Sequence, residues 1–188
     1  SVGTVAHGLS QKPDMIIYKN ISTSIGWIIG HSAFTNGFSD RLLFTTDAVS
    51  TNNSAAFNLT EPTNQVMTIG TVIFHNVDGF SKFSSYVGNG QTDGTFVFTG
   101  FRPSMVVIKS TASGERWNIF DKDRDPDNIV TQVLFPSESV VEATSSSGPE
   151  FLANGFQVRG NVGNWNHDSE KYIYMAFADQ PFKYSNAR

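Results

Sequence analysis

The sequence predicts an all-β protein: two tandem, similar antiparallel units packed as β-sandwiches of a jelly-roll-like or lectin-like kind, with little helix. Three observations carry this expectation. Apolar residues come in short runs rich in Val, Ile and Phe, bounded by Gly, Asn and Ser. The 16 Phe residues are spread along the 188-residue chain instead of clustering, as many short strands sharing a core require. The chain also repeats itself. Gly3-Thr4-Val5 matches Gly94-Thr95-Phe96, and after a one-residue slip Pro13, Met15, Lys19, Trp27 and Ile29 fall on Pro103, Met105, Lys109, Trp117 and Ile119. Ile16-Ile17 and Val106-Val107 fill equivalent slots, Leu42-Leu43-Phe44 corresponds to Val133-Leu134-Phe135, and the segment from Gly79 to Ser84 is echoed from Pro181 to Asn186. Such self-similarity marks a duplicated module.

The strands follow in order. Residues 14–19 place Met15-Ile16-Ile17-Tyr18 after Pro13, and 26–30 hold Trp27-Ile28-Ile29 between two glycines. Residues 41–45 centre on Leu42-Leu43-Phe44, and 66–74 are dominated by β-branched side chains. In the second unit, 95–99, 105–109, 116–120 and 130–135 are β-branched or aromatic runs. Residues 155–159 follow an Asn154-Gly155 turn, and 172–178 form the most aromatic run of all. Helical turns are admitted only at Ser137 to Thr144 and its counterpart, Ser50 to Asn58. The units divide as 1–88 and 89–188. The stretch from Gly88 to Gly94 between them is too short for a free linker, so the copies should pack side by side with quasi-twofold symmetry. The segment from Asn161 to Lys171 has no counterpart in the first unit.

Composition narrows the function. Charged residues make up 16%, well under the roughly 25% of an ordinary soluble domain. A neutral polar surface of this kind suits an extracellular β-protein. A net charge of -4 without a basic stripe argues against a nucleic-acid partner. The absence of Cys removes disulfides, thiolate metal sites and cysteine nucleophiles. No apolar run approaches the roughly 20 residues of a membrane helix, so no membrane insertion is expected, and no signal peptide is read. Ser1 in place of an initiator Met leads to the expectation of a piece of something longer.

Two segments are candidate sites. The loop from Asn161 to Asp168 sets Trp165 among Asn164, Asn166, His167 and Asp168. An indole flanked by amides and a carboxylate suits a sugar, whose C–H face stacks while its hydroxyls exchange hydrogen bonds. The alternative is that Trp165 caps the core at a strand end. The run from Asp121 to Asn128 places Asp121, Asp123 and Asp125 on alternate residues, as in a calcium loop. Pro126 stands where such a loop needs Gly and Gln132 where it needs Glu, so a structural turn is the main reading and a metal the lesser one. Trp27 and Trp117 share one repeat position and are expected in the core, while Lys19 and Lys109 are expected at solvated strand ends. The four histidines have no metal-ligand spacing, and no nucleophile elbow or phosphate loop is present. No cofactor is expected. A pair of acids for glycoside cleavage depends on folded geometry and is not legible in sequence.

The segment Gly100-Phe101-Arg102-Pro103-Ser104-Met105-Val106-Val107-Ile108-Lys109, with Trp117-Asn118-Ile119-Phe120-Asp121 and Arg124-Asp125, resembles a module of tailed-bacteriophage tail fibre and receptor-binding proteins. The resemblance continues from Phe151 to Phe156 and from Tyr172 to Tyr184, and reaches the first unit through Ala6-His7-Gly8-Leu9, Pro13, Met15-Ile16-Ile17 and Thr45-Thr46-Asp47. It implies a virion protein, extracellular, that attaches to the host by binding a cell-surface glycan or other receptor without catalysis. It also implies a homotrimer in contact with other virion proteins. The alternative is a structural virion protein, a capsid decoration or tail assembly component. The family carries no catalytic or binding residues to transfer.

Overall fold

The computed structural model, which describes residues 5–6, 8–18, 26–44, 49, 66–67, 72–112 and 114–180, is antiparallel β-structure with one 3₁₀ turn, Gly37–Ser39, among the described residues. In the first half the strands are β1 (Val5–Ala6), β2 (Met15–Tyr18), β3 (Ile28–His31), β4 (Leu42–Leu43), β5 (Val66–Met67), β6 (Val72–Phe74) and β7 (Ser81–Val87). The second half contributes β8 (Asp93–Phe98), β9 (Pro103–Ser110), β10 (Trp117–Asp121), β11 (Gln132–Val133), β12 (Ala143–Thr144), β13 (Pro149–Leu152), β14 (Gly155–Arg159) and β15 (Lys171–Ala178). Three sheets dominate: sheet I in the order β4-β3-β2-β6, sheet II in the order β10-β9-β15-β7, and sheet III in the order β13-β14-β8. None closes into a barrel.

The repeat is visible in the hydrogen-bond register. Met15 stands opposite His31 and Phe74 in sheet I, and Met105 stands opposite Asp121 and Phe177 in sheet II. Ser32 N–H donates to Asp14 O at 2.9 Å, and Lys122 N–H donates to Ser104 O at 3.0 Å, ninety residues on in both partners. The alignment of the fourth run needs one correction. Leu42 lies opposite Ile29, and it is Leu134, not Val133, that bridges to Ile119.

Sheet II is the middle layer, and its central strand shows why both faces are apolar. Along β15, Tyr172, Tyr174 and Ala176 point into a core shared with sheet III, while Ile173, Met175 and Phe177 point into a second core shared with sheet I. That second core joins Met15, Ile29 and Leu42 of the first copy to Val107, Trp117 and Ile173 of the second. Equivalent positions, Ile17 and Val107 and likewise Ile29 and Ile119, lie together in this one core, so the copies face each other through the same surface. The outer face of sheet I is covered by Phe38 of the 3₁₀ turn, which packs on Ile16, Tyr18 and Ile28.

Several expectations are corrected. The division between 88 and 89 does not separate the sheets, because β7 of the first span is paired along its length with β15. This strand and β13 were not expected from sequence. Ser137 to Thr144 forms a turn followed by β12 and contains no helix. Trp117 is buried at 1% exposure, as expected, but Trp27 is 47% exposed. The place beside Trp117 in the seam is taken by Phe44, whose ring stacks on the indole at 4.9 Å. Lys109 is fully buried, with Nζ donating to Ser110 O at 2.6 Å and Ala112 O at 3.3 Å. Gly3, Thr4, Lys19, Thr45 to Asp47, Ser50 to Asn58, residues 68–71 and the echo from Pro181 lie outside the described residues.

Candidate functional site

The loop from Asn161 to Asp168 is held by its own candidate residues. Trp165 is 2% exposed, packed edge-on against Phe120 at 5.3 Å, and donates its indole N–H to Arg159 O at 3.0 Å. Its carbonyl accepts Tyr86 OH at 2.7 Å. The fully buried Asn166 accepts Asn89 N–H at 3.1 Å and donates to Gln91 O and Gly160 O, each at 2.9 Å. Asn164 accepts Arg116 N–H at 3.0 Å through its side chain. His167 N–H donates to Tyr172 OH at 2.9 Å, and Tyr172 OH donates to Gly163 O at 2.6 Å. Of the five candidate side chains, those of His167 and Asp168 are exposed, and that of Asn164 is half-buried. Trp165 therefore offers no open face for a sugar, and the core-capping reading is the one its burial supports. Asn166 thereby also clamps residues 88–94. A side chain at Gly94 would come within 2.2 Å of Val158 O and 2.6 Å of Asn166 Nδ2.

The acidic loop is a hydrogen-bonded turn. Burial acts to raise the Asp121 carboxyl, but the Arg124 side-chain and backbone bonds outweigh it and hold it below the usual range. Asp125 follows the same logic. Burial raises it, and donation from Thr131 N–H at 2.6 Å, Thr131 Oγ1 at 2.9 Å and Gln132 N–H at 3.0 Å brings it down. Asp123 points to solvent beside Lys122. The three carboxylates diverge onto separate partners, and no cluster of three His, Asp or Glu side chains suited to a metal occurs among the described residues.

Exposed aromatic rings occur instead on the outer face of sheet III. Phe96 and Phe98 of the edge strand β8 are 43% and 63% exposed, while Val97 between them enters the core. The pleat turns β8 residues 96 and 98 to the side that also carries Gln157 and Arg159 of β14 and Glu150 of β13. Phe98 stands opposite Gly155 and Phe96 opposite Gln157. Gly155 leaves room for the aromatic ring, since an added side chain would lie 3.0 Å from Phe96 Cζ and 2.1 Å from Val97 O. Arg159 then spans all three strands. Its Nε donates to Glu150 Oε2 at 2.9 Å, and Nη1 reaches Asp93 Oδ1. Gln157 Nε2 donates to Gly94 O at 3.0 Å. The result is a strip of two open rings beside fixed amide, guanidinium and carboxylate groups. Sequence reading missed it because alternation says which residues leave the core, not which strand has no neighbour.

A cleft of about 430 Å³ lies where the chain crosses from sheet I to sheet II, lined by Ser10, Gln11, Lys12, Asp14 and His75 to Asp78. Gln11 Nε2 donates to Asn76 O at 2.8 Å, and Asn76 N–H donates to Asp14 Oδ2 at 2.8 Å. Two carboxylates facing one cleft are what glycoside cleavage calls for. Here Asp14 already holds the Asn76 backbone and Asp78 sits exposed on a turn, and among the described residues no Phe, Tyr or Trp lines the cleft.

A family model described as a domain of unknown function, DUF7483, matches residues 1–181. No curated protein and no solved structure matches the chain.

Proposed function

The chain belongs to the DUF7483 family, and from its sheet III face we propose that it binds a cell-surface glycan non-covalently, as a host-attachment module of a phage tail fibre. The observation that carries this reading is the pair of exposed rings, Phe96 and Phe98, beside the ladder of Gln157, Arg159, Glu150 and Asp93. Pyranose rings present an apolar C–H face and a rim of hydroxyls. Open aromatic rings take the face, and planar polar groups fixed by neighbours take the rim at little ordering cost. The sequence resemblance to tail fibre modules supplies the setting: an extracellular position on the virion, a homotrimer, and other virion proteins as neighbours. Several such sites on one particle raise avidity through effective concentration. No chemical step is part of this reading.

The structural virion role has one observation in its favour. Among the described residues β8 is a sheet edge without a further partner strand, and it carries exposed aromatics, a surface that another protein can extend by strand addition. Binding of labelled protein to host cells and to an immobilised glycan panel separates the two readings. Saturable binding that Phe98→Ala weakens about tenfold or more, the scale of a lost ring contact, supports glycan attachment. Phe98 is mostly exposed, so the variant should keep its circular dichroism spectrum. No binding by the correctly assembled wild type removes the glycan reading and leaves the virion-protein one.

A further inference from the structure

Sheets I and II repeat one another except at one edge. β2, β3 and β6 of the first correspond to β9, β10 and β15 of the second, since Met15 stands opposite His31 and Phe74 as Met105 stands opposite Asp121 and Phe177. In sheet II the far side of β15 is filled by β7, the strand that leaves sheet I after β6 and crosses the seam. In sheet I the equivalent place, beside β6, is an open edge among the described residues. Such an edge presents unpaired backbone groups to any strand that fits. One bond marks the gap. Ala178 N–H donates to Phe80 O at 2.9 Å at the start of the β7 pairing, whereas His75 N–H, its counterpart in the repeat, has no acceptor among the described residues.

The seam core is uneven at the same point. The Phe83 ring of β7 lies 5.1 Å from Phe74 and 5.7 Å from Phe177, the two copies of one repeat position, and Phe80 meets Phe177 edge-on at 6.5 Å. Phe74 and Phe177 are both only partly buried. A quasi-twofold seam calls for a second pair of rings, one set on Phe74 as Phe80 is on Phe177, the other opposite Phe83. The sequence holds such a pair. Phe80-Ser81-Lys82-Phe83-Ser84 is echoed by Phe182-Lys183-Tyr184-Ser185, which follows Phe177 as β7 follows Phe74. The four residues 178–181 span up to about 13 Å when extended, enough for the roughly 10 Å between stacked sheets. We infer that the segment from Phe182 to Ser185 docks on the open edge of β6, in its own chain, as the fifth strand of sheet I. Phe182 covers Phe74, Tyr184 takes the place that Phe83 holds on the other side of the seam, and Phe182 O accepts His75 N–H. Each copy then lends its last strand to the other's sheet, and the two are latched reciprocally. This docking is independent of the glycan reading.

The test is amide hydrogen exchange and nuclear Overhauser spectroscopy on the isotope-labelled full chain, with Ala178 N–H as the internal standard. The expected result is a His75 amide that exchanges within about tenfold of Ala178, together with Overhauser contacts from the Phe182 and Tyr184 rings to Phe74. Mixing chains that carry different isotopes separates contacts within a chain from contacts between chains. The double variant Phe182→Ser, Tyr184→Ser removes both rings. It should speed His75 exchange about tenfold or more and leave the amides of β9 unchanged. His75 exchange as fast as in an open loop, missing ring contacts in the wild type, or unchanged exchange in the folded double variant each overturns the inference. Ring contacts found only between chains overturn it as well, because the strand on the β6 edge would then come from a second copy. The wild-type contacts decide alone if the double variant does not fold.

Discussion

The side chain of Asn166 holds the backbone of Asn89: its Oδ1 accepts Asn89 N–H at 3.1 Å, and its Nδ2 lies 3.2 Å from Asn89 Oδ1. One fully buried amide thereby ties the turn that leaves β7 to the loop that enters β15. Asn166→Ala leaves Asn89 N–H, Gln91 O and Gly160 O without that partner. The expected loss is about 2–4 kcal/mol, from the desolvation cost of orphaned buried polar groups. The urea midpoint measures it, and a near-wild-type midpoint would mean that water replaces the amide.

Trp165→Ala belongs with that experiment. Emptying a buried aromatic site costs about 3–5 kcal/mol, and the change also strands Arg159 O. Any loss of host binding in this variant should therefore track loss of folded protein, and the fraction still folded should bind as the wild type does. Reduced affinity in fully folded Trp165→Ala would return the loop to candidacy as a site.

Much of the fold was legible because several of the duplicated residues face the seam. Ile17 and Val107, and Ile29 and Ile119, repeat because each copy packs its equivalent surface into the shared core. β7 was hidden for a physical reason. Its two large residues, Phe83 and Tyr86, are three apart and serve opposite cores, so the period of two disappears among serines. Trp27 misled because repetition transmits position in the strand, while burial depends on what packs against it. The Trp165 loop misled in the same way. Its amides and indole have the chemistry of a sugar site, and the fold spends that chemistry on its own backbone.

His31 makes stability depend on pH. Burial first, and then the neighbouring Lys171 ammonium, lowers its folded-state value to about 4, against about 6.5 for a free imidazole. The unfolded chain thus binds the proton first. His31 contributes full stability above about pH 6.5, loses it as pH falls towards about 4, and adds no further slope below. The total is on the order of 3 kcal/mol. Unfolding free energies at pH 7 and pH 5 should differ less in His31→Asn, whose Oδ1 can still accept Ala33 N–H. An unchanged difference would show that His31 titrates normally in the fold.

Gly155→Ala tests the geometry of the aromatic face. The added methyl meets Val97 O at 2.1 Å, a contact that β8 relieves only by moving away. A loss of more than about 2 kcal/mol is expected, as for overpacking against a rigid neighbour, with Phe96 and Phe98 displaced together. Gln157→Ala on the same face should leave stability within about 1 kcal/mol of wild type and weaken only glycan binding. Equal stability in both variants would mean that the edge strand is more pliable than its pairing with β14 indicates.

The two repeat tryptophans should respond oppositely. Trp27 borders an apolar hollow of about 190 Å³ with Ile17 and Phe44, and half of its surface already meets water. Trp27→Ala is expected to cost about 1 kcal/mol or less, whereas Trp117→Ala should cost about 3–5 kcal/mol because Phe44 loses its stacking partner in the seam. Trp117→Phe separates packing from polarity. The indole N–H is buried without a partner, so its removal recovers part of the area lost with the smaller ring, and the net change should stay within about 1 kcal/mol. Thermal denaturation of the three variants checks the order. Equal losses for Trp27→Ala and Trp117→Ala would mean that both indoles lie within the seam, and that the symmetry of the duplication extends to this pair.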